Sequence, residues 1–246
     1  TPASMRRLLV LLLLLVLPSL LGAQEPASFT LEQVKGYPFP SALASSGNRI
    51  AWTLDERGRR NVFASEAPGG AVRQLSRYEQ ADGQEISSIA ISRDGQWVVW
   101  VRGGDHSSNW DDALPVNTTH MPLPPKVQIW AAPFDGSAPP KAIGEGESPV
   151  IAPRSHAVLF VRDRAIWSVP LDGSAQPKRI VVPRGEPSDL RFSPDGSRIA
   201  FVAGRGDHAF IGIFAGDSVP ITWLAPSTSR DASPRWSPDG TQVAFV

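Results

Sequence analysis

Hydrophobic and polar positions follow two different regimes along the chain. Leu8 to Leu17 is wholly apolar; Pro18 breaks the run, which resumes at Leu20 and Leu21. After that point no stretch keeps the 3.6-residue spacing of an amphipathic helix. Apolar bursts of four or five residues alternate instead with turns built from Ser, Pro, Asp and Gly. Such bursts are too short for helices and rich in Val, Ile, Phe and Trp, so they predict β-strands. Within one of them Ile199 and Phe201 point one way, and Ala200 and Val202 the other. A strand that is apolar on both faces is expected between stacked sheets.

The bursts follow a repeated turn. Ile91-Ser92-Arg93-Asp94-Gly95-Gln96-Trp97-Val98-Val99-Trp100 is one copy, Phe192-Ser193-Pro194-Asp195-Gly196-Ser197-Arg198-Ile199-Ala200-Phe201 a second, and Trp236-Ser237-Pro238-Asp239-Gly240-Thr241-Gln242-Val243-Ala244-Phe245 a third. Looser copies centre on Gly47 and on Ser155, which stands at the glycine position. The steps from 47 through 95, 155 and 196 to 240 are 48, 60, 41 and 44 residues. Proline cannot donate to a strand ladder, and glycine takes positive φ at no steric cost, so each copy predicts a strand end and a tight reversal. A second repeat runs out of phase: Ile129-Trp130 to Asp135-Gly136 matches Ile166-Trp167 to Asp172-Gly173, with a looser copy at Val62 to Gly70. Two hairpins, hence four strands, in roughly 40–45 residues is the period of a β-propeller blade. The expected class is all-β: a propeller of four-stranded blades, about five begun and the ring incomplete, preceded by a signal-peptide helix. The expected division is 1–23 signal peptide with upstream residues, 24–36 linker, and 37–246 truncated propeller.

Met5, Arg6 and Arg7 precede the apolar run, and Gly22 and Ala23 follow it. Basic, apolar, then small is the order of a secretory signal. The run is shorter than the ~20 residues a membrane-spanning helix needs and contains a proline. The expectation is a secreted or periplasmic protein with no stable membrane span after cleavage. Thr1–Ser4 lie before the plausible start at Met5, which reads as an open upstream end.

Composition narrows the chemistry. Lys+Arg and Asp+Glu both number 24, so the basic footprint of a nucleic-acid binder is missing. Cysteine is absent, which removes disulfides, thiol catalysis and thiolate zinc sites. The long interval between Val101 and Lys126 holds Asp105, His106, Asp111, Asp112 and His120; long loops often carry function, but solvated polarity is the preferred reading over a metal site. Asn117-Thr118-Thr119 would accept a glycan only on a eukaryotic secretory route. Asp207-His208 has no motif nucleophile beside it. Arg205-Gly206-Asp207 and Gly216-Asp217-Ser218 read as turns, and His156 as a surface residue. Trp52, Trp100, Trp130, Trp167 and Trp236 recur at blade positions and are expected to pack between blades. No residue is assigned a catalytic, cofactor-binding or metal-ligating role, and no cofactor is expected.

The Ser-Pro-Asp-Gly repeat resembles WD-repeat-like blades of secreted bacterial proteins. A signal followed directly by blades looks most like the prolyl oligopeptidase family of serine peptidases, including its dipeptidyl peptidase-like and acylaminoacyl peptidase-like members. Val101 to Asp105, Arg205 to Gly212 and Ser229 to Pro238 carry that resemblance. It covers about residues 35–246. It implies a downstream α/β-hydrolase domain as partner, a Ser-His-Asp triad within that domain, and short peptides as substrate, with the propeller acting as a lid. This sequence has no G-x-S-x-G and no Glu-Glu pair, so no catalytic residue and no exopeptidase amine site transfer to it. The alternatives are a non-enzymatic, periplasmic TolB-like interaction propeller, and a sialidase-like propeller suggested by an imperfect Asp-box at Ser92 to Trp97.

Overall fold

The computed structural model describes residues 30–103 and 126–246. The signal segment and the long loop with His106 and His120 lie outside the described residues. The chain divides into two units, 1–37 and 38–246. In the first, α1 (Leu31–Gly36) is a six-residue helix. Its start is a capping box: the Thr30 hydroxyl accepts from the Gln33 N–H, and the Gln33 side chain accepts from the Thr30 N–H. The sequence reading treats this stretch as linker and finds no helical periodicity, because one and a half turns are too short to show any.

The second unit is a β-propeller fragment of antiparallel meanders. Blade I is β1 (Phe39–Ser46), β2 (Arg49–Glu56), β3 (Arg59–Glu66) and β4 (Arg73–Gln74). Blade II is β5 (Ile86–Ile91), β6 (Trp97–Arg102), β7 (Gln128–Pro133) and β8 (Lys141–Glu145). Blade III is β9 (Glu147–Ile151), β10 (Ala157–Arg162), β11 (Ala165–Pro170) and β12 (Lys178–Val181). Blade IV is β13 (Glu186–Phe192), β14 (Ile199–Gly204), β15 (Ala209–Phe214) and β16 (Thr222–Leu224). A fifth sheet pairs β17 (Arg235–Trp236) with β18 (Val243–Ala244).

The first repeat forms the turn between first and second strands, and the out-of-phase repeat forms the connection between third and fourth. Each blade therefore has three reversals rather than two. The middle one is a two-residue turn at Arg57-Gly58 in blade I and at Asp163-Arg164 in blade III, with both residues at positive φ in each. That is the mirror-image turn whose twist matches paired strands.

Alternate residues of the second strand face opposite neighbours. From blade II onward, one face of each blade, here called leading, packs on the trailing face of the blade before it. Val98, Trp100 and Phe134 of blade II meet Ala51, Val62 and Ala64 of blade I. Val158 and Phe160 meet Val99, Val101 and Ile129. Ile199 and Phe201 meet Leu159 and Ile166. Ala200 and Ile211 meet Val243 and Phe245. The two-sided burial expected of these strands is thus met, and it places the core between the blades. Of the five recurring tryptophans only Trp100 is fully buried; the other four are half-buried.

Candidate functional site

Two repeated structures offer themselves as functional surfaces: the turns between first and second strands, and the first strands themselves. Each turn is a small hydrogen-bonded device. The Ser193 hydroxyl donates to Asp195 Oδ1 at 2.5 Å and accepts from the Arg198 N–H at 2.9 Å, while Asp195 Oδ1 also accepts from the Ser197 N–H. Ser92 with Asp94 and Ser237 with Asp239 repeat the pattern at nearly the same distances. Glycine is required next, because Gly95, Gly196 and Gly240 sit at φ near +75°.

These turns tie neighbouring blades together. Arg49 Nη1 donates to the Gly95 carbonyl at 2.7 Å, and Arg198 Nη2 to the Gly240 carbonyl at 2.5 Å. Both arginines stand two residues after a turn glycine. Each also lies over an aromatic ring, Arg49 on Phe134 and Arg198 on Trp236. Blade III has Ala157 at that position, and His156 Nε2 instead meets Asp94 Oδ2 of blade II at 2.9 Å. His156 is exposed, yet it forms an inter-blade contact that the sequence reading does not anticipate.

The aspartates carry the charge of this belt. Against the opposing effect of burial, hydrogen bonds from Ser92, the Gln96 N–H and His156 hold the Asp94 carboxyl below its usual range. Hydrogen bonds from Ser193 and Ser197 hold Asp195 well below it, and those from Ser237 and Thr241 bring Asp239 down to about 2. A carboxyl depressed in the fold stabilises it above the unfolded value of about 4 and loses that contribution as pH falls through the folded value. Thermal melts are therefore expected to lose stability between about pH 4 and pH 2, and Asp239→Asn to flatten that decline. An unchanged pH profile in Asp239→Asn would remove Asp239 from this account. Ser193 is fully buried, and Ser193→Ala leaves the Arg198 N–H without its acceptor. The expected loss is about 1–3 kcal/mol by chemical denaturation.

The first strands β1, β5, β9, β13 and β17 lie against one another in sequence. Each blade has one residue at the same register in the left-handed region: Ala42, Ser88, Ser148, Asp189 and Ser233, with φ between +45° and +55°. The last four lie seven residues before the turn position; Ala42 lies five before Gly47, whose turn is shorter. Beside Ala42, Ser88 and Asp189 the pairing slips by a bulge, which re-aims the side chain. Ala42, Ser88, Ser148 and Ser233 are exposed. Asp189 is half-buried and bridges two arginines at one register, Arg191 Nη2 at 2.5 Å and Arg235 Nη1 at 3.7 Å. The sequence holds no obvious signal for this series, since none of these residues is glycine.

The described parts of the single-residue candidates resolve into turns. Arg205 stacks on Phe210 and Trp223 and donates to the Arg184 carbonyl, so the Arg205-Gly206-Asp207 tripeptide presents no free guanidinium. Asp207 Oδ1 meets His208 Nδ1 at 2.6 Å, and Arg230 donates to the Gly206 and Asp207 carbonyls. Gly216-Asp217-Ser218 lies between β15 and β16. Among the described residues no hydrogen bond joins either histidine to a serine, and no three metal-ligating side chains gather. Asp105, His106, Asp111, Asp112, Asn117 and His120 lie outside the described residues. Among the described residues no helix is long and apolar enough to cross a membrane.

No family model matches the chain, and no curated protein matches it. Many solved structures do. TolB from Acinetobacter baumannii is similar at 20% identity and TM-score 0.55, over 84% of this chain and 48% of that one. A prolyl endopeptidase is similar at 10% identity and TM-score 0.56, over 78% of this chain and 30% of that one. A puromycin-hydrolysing peptidase from Mycobacterium tuberculosis is similar at 17% identity and TM-score 0.54, over 86% and 35%. The chain thus spans half or less of each of these three. At these identities the likeness establishes the β-propeller fold.

Proposed function

We propose that this chain is the propeller portion of an exported serine peptidase that hydrolyses short peptides, with its α/β-hydrolase domain downstream of Val246. The observation that supports this reading is the likeness of its propeller blades to those of two peptidases, taken together with the sequence resemblance given above. The sequence adds an N-terminal export signal followed, after about a dozen residues, by the first blade. Acyl transfer would belong to a Ser-His-Asp triad in the partner domain. The residues of this chain would do something else. The belt of Arg49, Arg198 and the His156–Asp94 contact holds adjacent blades at fixed spacing. The first strands present exposed short side chains at Ala42, Ser88 and Ser148, where a peptide could pass. Export would place the protein in the periplasm or outside the cell.

The test is hydrolysis by the full-length polypeptide encoded by the gene. It is expected to react with a fluorophosphonate at one serine beyond Val246 and to cleave short peptides but not a folded protein. Absence of both activities in a folded full-length polypeptide would overturn the reading. A second reading, a non-enzymatic TolB-like interaction propeller, is favoured by the two TolB structures at 20% and 18% identity. It predicts no labelled serine.

A further inference from the structure

Two arginines hold the same place in successive blades and differ in one respect. Arg102 and Arg162 are the last residues of the second strands β6 and β10, each seven residues past its turn position. Each guanidinium lies over an aromatic ring, Arg102 over Tyr78 at 3.9 Å and Arg162 over Trp167 at 3.7 Å. Arg102 has a carboxylate of its own: Nη2 donates to Asp82 Oδ2 at 2.6 Å, with both side chains mostly buried. Arg162 has no such partner. Asp163 lies 3.6 Å away and is 85% exposed, and Arg162 Nε is buried without a hydrogen bond. The difference follows from the chain between blades. Residues 75–85 join β4 to β5 and carry both Tyr78 and Asp82 to Arg102, whereas Gly146 alone joins β8 to β9. Beside Arg162 there is instead an open cleft of about 300 Å³, whose lining includes Gln128, Gly144, Glu145, Gln176 and Pro177. That is the small end of the range for small-molecule sites.

We propose that this cleft binds a small carboxylate, which takes on Arg162 the place that Asp82 takes on Arg102. A guanidinium presents a planar fork of N–H donors that matches a carboxylate, and stacking on Trp167 holds this one in position. A buried N–H without an acceptor is costly, and a ligand oxygen at Arg162 Nε removes that cost. Glu145, held by Lys126 Nζ, stands on the same lining and opposes a second negative charge, so the ligand carries one carboxylate rather than two. The amides of Gln128 and Gln176 accommodate one further polar group, which suits an α-amino acid as well as a simple short-chain acid. The site does not depend on the peptidase reading.

Calorimetric titration of the full-length polypeptide with propionate, with L-alanine and with propionamide tests this. At least one of the two acids is expected to bind at one saturable site, and propionamide, which lacks the charge, about tenfold or more weakly. Tighter binding of alanine than of propionate would identify an amino acid with its ammonium toward Glu145; the reverse order would identify a simple acid. Arg162→Gln is expected to lower the affinity about tenfold or more. Gln176→Glu, at an exposed position, adds a negative charge to the lining and is expected to weaken binding while leaving Arg162 and Trp167 in place. It keeps the inference testable where Arg162→Gln does not fold. No saturable binding of either acid, equal binding of propionamide, or an affinity unchanged in the folded variants would overturn the inference.

Discussion

Replacing Trp100 by alanine is expected to cost the fold about 3–5 kcal/mol, the usual range for emptying a large aromatic from a packed core. Trp100 has no exposed surface and sits among Ala51, Val62, Ala64, Leu75 and Phe134 at the junction of blades I and II. These neighbours are anchored in two different sheets and cannot collapse together into the space. Trp167 is the internal comparison. It is half-buried, lies under the Arg162 guanidinium at 3.7 Å, and its indole N–H donates to the Arg162 carbonyl. Arg162 can follow a shrinking side chain, so Trp167→Ala is expected to cost less than half as much. Equilibrium denaturation of the two variants checks this. Equal losses would mean that burial between blades is not what sets the cost.

Gly146→Ala is expected to be as damaging, for a backbone reason. Gly146 has φ of +145°, which a side chain rarely adopts. A Cβ there would lie 2.4 Å from the Val161 carbonyl oxygen and 2.7 Å from the Phe160 ring. Neither neighbour can yield, because Val161 belongs to β10 and Phe160 is fully buried. Backbone strain and overpacking each cost about 1–3 kcal/mol, so the sum is about 2–6 kcal/mol. Gly47→Ala is the control for positive φ alone, since a Cβ there meets nothing within 4 Å. Thermal or urea unfolding should rank Gly146→Ala well below Gly47→Ala. The reverse order would contradict the close approach of β9 and β10 described here.

The parts of the fold legible in the sequence are those whose chemistry is local. Ser-x-Asp-Gly closes its own hydrogen bonds within six residues, so three blades announce themselves by composition alone. The middle reversal at Asp163-Arg164 is silent, because two residues without glycine hold positive φ only where the flanking strands impose it. The bulged first-strand series is silent for the same reason: Ser88 and Ser148 are ordinary serines until neighbouring strands fix their register. The inter-blade bonds of Arg49 and Arg198 are silent too, since their acceptors lie 46 and 42 residues away. The tryptophans show that a repeat identifies a position without giving its depth: Trp100 is at the centre of an interface, while Trp130 and Trp167 lie toward the next strand out. The helix at Leu31 was legible, through Thr30 and Gln33, but only to a search for caps rather than for periodicity.

The most direct test of the account is the coding sequence beyond the codon for Val246. The account predicts the remainder of the fifth blade, further Ser-Pro-Asp-Gly repeats that complete the ring, and then a hydrolase segment with G-x-S-x-G followed by an aspartate and a histidine. A stop codon directly after ring closure would contradict the peptidase reading and leave an interaction propeller.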